Sequence, residues 1–225
     1  MTATILVVAK APVPGRVKTR LAADLGPGGS VVAAELAAAA LLDTLTACAE
    51  AFSRRRIALA GELTDAVAGA ELRQALADWT IAPQVGDGLG PRLAHAHRGV
   101  GGPVVQIGMD TPQVTAARLR RVGARLADHD AVLAPAHDGG WWALALRDPR
   151  AADALAQVPM STPTTYDDTR RALAMVGLTV ERGEPLRDVD HLSDVAAVSA
   201  LAPRGRFARA AARLLPESVL PGSAR

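Results

Sequence analysis

The sequence predicts a three-layer α/β/α sandwich around a mostly parallel sheet. Three observations predict it: apolar runs of strand length alternate with longer helical patterns, aromatic residues make up only 3% of the chain, and the loops after the apolar runs carry the charged and glycine-rich strings. Strands alternating with helices wind into right-handed βαβ units. With alanine, leucine and valine abundant, the core is expected to consist of small aliphatic side chains. The 225 residues show no interior shift of composition, which predicts one domain over residues 1–202, followed by a basic helix and frayed tail over 203–225.

Taken in order, TILVVA (residues 4–9) reads as a buried strand, followed by the loop KAPVPGRVKTRL and a helix near Val31 to Phe52. RIALAG is the next strand and Asp65 to Ala77 the next helix. TIAPQV then precedes a helix starting near Pro91, and PVVQIG precedes one from Val114 to Ala127. AVLAPA leads into a turn, WWALAL leaves it, Val180 closes a further strand, and Leu192 to Leu201 forms a helix. From Pro203, PRGRFARAAARLL reads as a packed basic helix and PESVLPGSAR as the tail.

Several classes are set aside by composition. A formal net charge of +2, with no arginine stripe interleaved with aromatics, does not predict a nucleic-acid partner. Cys48 is the single cysteine, so neither a disulfide nor a cysteine-rich metal site forms within one chain, and a cytoplasmic location is expected. No signal peptide is expected at the amino terminus. VVAAELAAAALLDTLTACA comes nearest to a membrane span, but Glu35 and Asp43 interrupt it, which suits a buried amphipathic helix instead.

Both lysines of the chain, Lys10 and Lys18, fall in the first loop with Arg16 and Arg20. Open α/β sheets bind ligands at the carboxyl ends of their strands, where such cations supply charge-assisted hydrogen bonds to a phosphate chain. Pro12, Pro14 and Gly15 stiffen and turn the segment, lowering the cost of ordering it on a ligand. The alternative is a solvated basic loop, and no GxxxxGK[ST] string marks it as a Walker loop.

Carboxylates and glycines follow the later strands. In PVVQIGMDTP, Asp110 stands just past a strand, placed either to hold a divalent cation or to cap the next helix. In RDVDHLSDV, Asp188 or Asp190 can complete a metal site with it; Asp190 is preferred because Ser193 or Asp194 can serve as the helix cap. AHDGGWWALAL sets Asp138, Gly139 and Gly140 beside Trp141 and Trp142, of which only one indole can face a pocket because strand residues alternate. GDGLGPRL offers Asp87, Gly88, Leu89 and Gly90 to a ribose or base, with Arg92 near the phosphates. Ser161 and Thr162 in MSTPTTYDDT are helix-start residues or contacts to a phosphate or acceptor.

In order along the chain, AKAPVPGRVKTRL, DGLGPRL, GMDTP, APAHDGGWWALAL, the MSTP segment and DVDHLSDV resemble the DUF2064 family, a glycosyltransferase-like family of the nucleotide-diphospho-sugar transferase superfamily. The resemblance spans roughly Ile5 to Leu201. It implies a GT-A fold with a mixed sheet, and kinship with the guanylyltransferases of deazaflavin and molybdopterin cofactor assembly. It further implies that Ala9, Lys10, Gly15, Arg16, Lys18 and Arg20 face a nucleotide, that Asp110 holds Mg²⁺ or Mn²⁺, and that the DGG turn borders the acceptor. The chain departs from the family in carrying Trp141-Trp142 where tyrosine-like aromatics are common, Met160 where a tryptophan is common and Pro91 where an acidic residue is common.

The expected function is a Mg²⁺-dependent transferase acting on a nucleoside triphosphate or nucleotide sugar and a small-molecule acceptor, with Lys18, Asp110 and Asp138 as catalytic residues. Nucleotidyl transfer to an anionic acceptor needs no general base, so the cationic loop and the metal supply most of the rate. Glycosyl transfer is the alternative, with Asp138 as base. GMDTP lacks a paired DxD string, which favours the first. A non-catalytic nucleotide-binding module is the third reading, and homo-oligomerisation is left open.

Overall fold

A computed structural model describes residues 3–216 and Val219. Strands β1 (Thr4–Lys10), β2 (Arg54–Ala60), β3 (Thr80–Pro83), β4 (Val104–Ile107), β5 (Ala131–Pro135), β6 (Trp141–Leu146) and β7 (Val180–Arg182) form one sheet in the order β3-β2-β1-β4-β6-β5-β7. Only β6 runs antiparallel to its neighbours β4 and β5. The helices are α1 (Thr19–Leu25), α2 (Gly29–Ala51), α3 (Gly69–Ala75), α4 (Leu89–Arg98), α5 (Ala116–Ala124), α6 (Thr165–Met175), α7 (Leu192–Leu201) and α8 (Arg206–Leu214).

Alternation along β1 divides the core. Ile5, Val7 and Ala9 face the layer of α2, α3 and α5, whereas Leu6 and Val8 face the layer of α4 and α6. The central strands are buried on both faces, so they read as continuous apolar runs, as parallel strands do. A third cluster, with Leu21, Leu36, Val198 and Phe207, joins α1 and α2 to α7 and α8.

Helix α2 departs from the amphipathic expectation, since it is buried nearly all round between the sheet and α1 and α8. It is the one described helix long and apolar enough to cross a membrane, and 72% of that apolar window is covered by the fold. Two of its acids, Glu35 and Asp43, dock α8. The Asp43 carboxylate accepts from the backbone N–H groups of Arg206 and Phe207 at 3.0 and 2.9 Å, and Glu35 pairs with Arg213 at 2.8 Å. Most of the expected tail, from residue 217 on, lies outside the described residues apart from Val219.

Two elements were not foreseen. Helix α1 is preceded at its cap position by Lys18, whose backbone is left-handed (φ 47°) and whose side chain makes no capping bond, so no capping signature marks it. A 3₁₀ segment, Pro149–Gln157, begins with the Asp148 carboxylate accepting from the Arg150 N–H at 3.0 Å. Its Asp-Pro start was readable as a helix signal.

Candidate functional site

Lys10 closes β1, and Asp110 follows the carboxyl end of the neighbouring parallel strand β4. Between those ends and the loops around them opens a cleft of about 500 Å³, ample for a small ligand. Ala9, Lys10, Arg16, Lys18 and Arg20 line it, as do Asp110, Asp138, Asp188, Asp190, Gly140, both tryptophans, Met160, Ser161 and Thr162.

The cations and the carboxylates meet at Lys18. Its ammonium lies 2.8 Å from Asp110 Oδ1 and 2.9 Å from Asp190 Oδ1, with only 9% of the side chain exposed. Arg20 reaches the other oxygen of Asp190 at 2.9 Å. Among the described residues Lys10 and Arg16 enter no ion pair, so their charges remain available to a ligand. Burial opposes the charge on Lys18, but Asp110 and Asp190 outweigh it and raise its pKa. Burial likewise pushes the Asp190 carboxyl up, and Lys18 and Arg20 more than reverse this, so its pKa ends lowered.

Sequence distance is overcome by one backbone bond. The Val189 N–H donates to the Asp110 carbonyl at 3.0 Å and sets the extended segment 188–190 against the end of β4. Val189 turns into the core, which leaves Asp188 and Asp190 facing the cleft. Capping of α7 falls to His191 and Asp194, so Asp190 is free for the cleft. Asp188 lines the cleft beside the expected Asp190, and the signal for it is the Asp-Val-Asp alternation in an extended stretch. Its carboxyl is pushed up to about 6, first by burial and then by Asp138, Asp190 and Asp110 around it.

The carboxylates suit a hard divalent ion. Asp138, Asp188 and Asp190 each bring an oxygen within 4.8 Å of the others, and the Lys18 ammonium shows that Asp110 and Asp190 can share a single cation. The two donor sets have Asp190 in common. The expected metal pair therefore lies together, but with Lys18 between its members and two further acids at hand.

Other expected residues are not brought to the cleft wall. Gly15, Asp87, Gly88, Gly90 and Arg92 are absent from it, and Leu89 and Leu93 represent that glycine-rich string. Arg92 turns back, its Nε donating to the Gly86 carbonyl at 3.0 Å. Gly90 is needed for packing instead, since a Cβ there would stand 2.4 Å from the Leu155 carbonyl. Gly139, at φ 91°, is likewise consumed by a close approach, where a Cβ would meet the Pro163 carbonyl at 2.2 Å. That contact presses the DGG turn against the Ser161–Thr162 segment. The indoles divide as strand alternation requires: Trp141 joins the α4 face and donates to Thr169 Oγ1 at 3.1 Å, and Trp142 joins the opposite face and donates to the Glu184 carbonyl at 2.9 Å. Both still contribute atoms to the cleft wall.

A family model described as "Uncharacterized protein conserved in bacteria (DUF2064)" matches residues 42–162, more than half of the chain. A search of curated proteins gave no match. Among solved structures, a protein provisionally described as a nucleotide-diphospho-sugar transferase from Desulfovibrio desulfuricans superposes with a TM-score of 0.79 at 24% identity, covering 95% of this chain and 97% of that one. The 4-diphosphocytidyl-2C-methyl-D-erythritol synthase of Anaerococcus prevotii gives 0.56 at 10% identity, with 90% and 99% covered. A CMP:2-keto-3-deoxy-manno-octonic acid synthetase complexed with CTP gives 0.54 at 11%, with 91% and 99% covered. At these identities the likeness shows the fold, which is that of the GT-A transferases.

Proposed function

The chain belongs to the DUF2064 family, and from that premise we propose that it is a nucleotide-utilising transferase whose reaction is nucleotidyl transfer. The donor is a nucleoside triphosphate, the acceptor a small anion, and pyrophosphate leaves. One observation carries the reading: the Lys18 ammonium is held between Asp110 and Asp190 in a cleft that Lys10 and Arg16 also enter without carboxylate partners. Cations with no internal partner beside a carboxylate cluster are what a metal-bound polyphosphate requires. The fold relative complexed with CTP lends the same support.

Lys10 and Arg16 bind the phosphate tail by charge-assisted hydrogen bonds, and Arg20 holds Asp190 in place for the metal. Asp110 and Asp190, with Asp188 and Asp138 beside them, would hold Mg²⁺ or Mn²⁺, which supplies neutralisation of the triphosphate and of the departing pyrophosphate. The hydroxyls of Ser161 and Thr162 and the DGG turn orient the acceptor, while Trp141 and Met160 keep water from that end. An anionic acceptor attacks without surrendering a proton, so positioning and charge carry the rate. The cytoplasm is the proposed compartment, where the buried thiol of Cys48 stays reduced.

A second reading has its own observation. Asp188, held up to about 6 beside Asp138, is a carboxylate fit to take a proton from an acceptor hydroxyl, as glycosyl transfer from a nucleotide sugar requires. The test is to incubate the protein and Mg²⁺ with nucleoside triphosphates or sugar nucleotides and a pool of small acceptors. Release of pyrophosphate supports the proposal. Release of nucleoside diphosphate from a sugar nucleotide replaces it with the second reading, and release of neither rejects both.

A further inference from the structure

The floor of the cleft carries a polar pair that neither the cationic loop nor the carboxylates explain. Gln106 lies in β4, where every residue is buried, directly opposite Leu6 of β1 and Leu144 of β6 and on their face of the sheet. His97 of α4 is fully buried beneath it, with Nε2 2.6 Å from Gln106 Oε1. Burial, only partly opposed by the bond to Gln106, holds the His97 pKa down to about 4 and keeps the imidazole neutral near pH 7. A neutral ring carries one N–H.

The proton belongs on Nε2. Among the described residues His97 Nδ1 has no partner, and a buried ring nitrogen left as a bare acceptor is better tolerated than an N–H left without one. Nε2–H therefore donates to Gln106 Oε1, which fixes the amide with its oxygen towards α4 and its NH₂ group turned away. Among the described residues no protein acceptor takes that NH₂, and Gln106 contributes to the cleft floor beside Val8, Leu89, Leu93 and Trp141. A side chain 98% out of solvent thus keeps a donor for something that enters the cleft.

We infer that Gln106, oriented by His97, determines which base the nucleotide carries: its NH₂ donates to the carbonyl oxygen O6 of guanine or O4 of uracil, the position where adenine and cytosine carry an amino group, with the base seated against Val8, Leu89 and Leu93. An amino base, adenine or cytosine, turns an N–H towards the same donor, and two donors facing one another on a dry floor reject it. The inference rests on the nucleotide reading and adds the base to it. Gln106 is the residue that touches the ligand, and His97 is a positioning residue.

The test is calorimetric titration of the intact protein with the Mg²⁺ complexes of GTP, UTP, ATP and CTP. Wild type is expected to bind at least one keto nucleotide about tenfold or more tighter than either amino nucleotide, the difference typical of one satisfied against one unsatisfied hydrogen bond. Gln106→Glu puts acceptor oxygen where the NH₂ stood and should abolish or reverse that ratio. Gln106→Met, which keeps volume and apolar burial, should bring the four affinities close together, and His97→Leu should compress the ratio while circular dichroism shows the fold intact. If wild type binds a nucleotide but prefers an amino base, or if these variants leave the ratio unchanged, the inference is overturned and the nucleotide reading stands. If wild type binds none of the four, the nucleotide reading falls and takes the inference with it.

Discussion

At Lys18 two opposed effects act on one ammonium, and the carboxylates of Asp110 and Asp190 prevail over burial. A divalent ion arriving at those carboxylates competes with it. Replacing Lys18 by alanine is therefore expected to act in two directions: Mn²⁺ binding without nucleotide, followed by electron paramagnetic resonance, should tighten, while nucleotide affinity falls by ~1–3 kcal/mol through loss of a charged contact. Unchanged binding of both would leave Lys18 as a purely structural bridge. Asp188 makes a separate prediction through its pKa, raised to about 6 from the ordinary 3.8. With its pKa raised, the carboxyl holds its proton below about pH 6, and a metal must displace that proton. Mn²⁺ affinity should thus be constant above pH 6 and weaken about tenfold per unit below it, the slope of one proton released. Asp188→Asn should flatten that dependence. A wild-type affinity that stays level down to pH 4.5 would exclude Asp188 from the metal's shell.

Among the elements, α2 and α8 explain one another. The acids that made residues 29–51 a poor membrane span are those that fasten α8, with Asp43 capping its first two N–H groups. Asp43→Ala should lower stability by ~1–2 kcal/mol, the cost of losing a helix cap, and chemical denaturation would show it. No change in the unfolding midpoint would mean that α8 is held by its apolar face alone. The strands and the longer helices were legible because their apolar periods are strong; Leu192–Leu201 falls where its pattern put it. Helix α1 was not, because the residue at its cap position is a left-handed lysine whose role is set by Asp110 and Asp190 from far along the chain. The glycines after β3 were read as ligand contacts, yet Gly90 is required by the 3₁₀ segment packed on α4. From sequence, a glycine for a ligand and a glycine for a neighbouring carbonyl look alike.

Across the whole molecule, the sheet order puts β1 and β4 side by side, so that the first loop and Asp110 open on one cleft. The residue types at those strand ends were readable: a cation closing β1 with three more after it, and an acid after β4. What could not be read was that Val189 bonds to the Asp110 carbonyl and adds Asp188 and Asp190, because that pairing depends on a contact between segments almost eighty residues apart. The buried Gln106–His97 pair was hidden for a related reason, since a glutamine inside an apolar strand acquires meaning only when the helix above it is placed. The account's central claim is that the cations of the first loop and the carboxylates opposite hold one metal-bound polyphosphate between them. Thermal melting with saturating Mg²⁺ and each nucleoside triphosphate or sugar nucleotide tests it most directly, since a ligand at a hundred times its dissociation constant stabilises by about 2.7 kcal/mol. In a chain of this size that is a rise of roughly 5–10 °C, and the account predicts it for wild type and its loss in Asp190→Ala. A wild-type melting temperature unmoved by every donor, or a rise that survives Asp190→Ala in full, would contradict it.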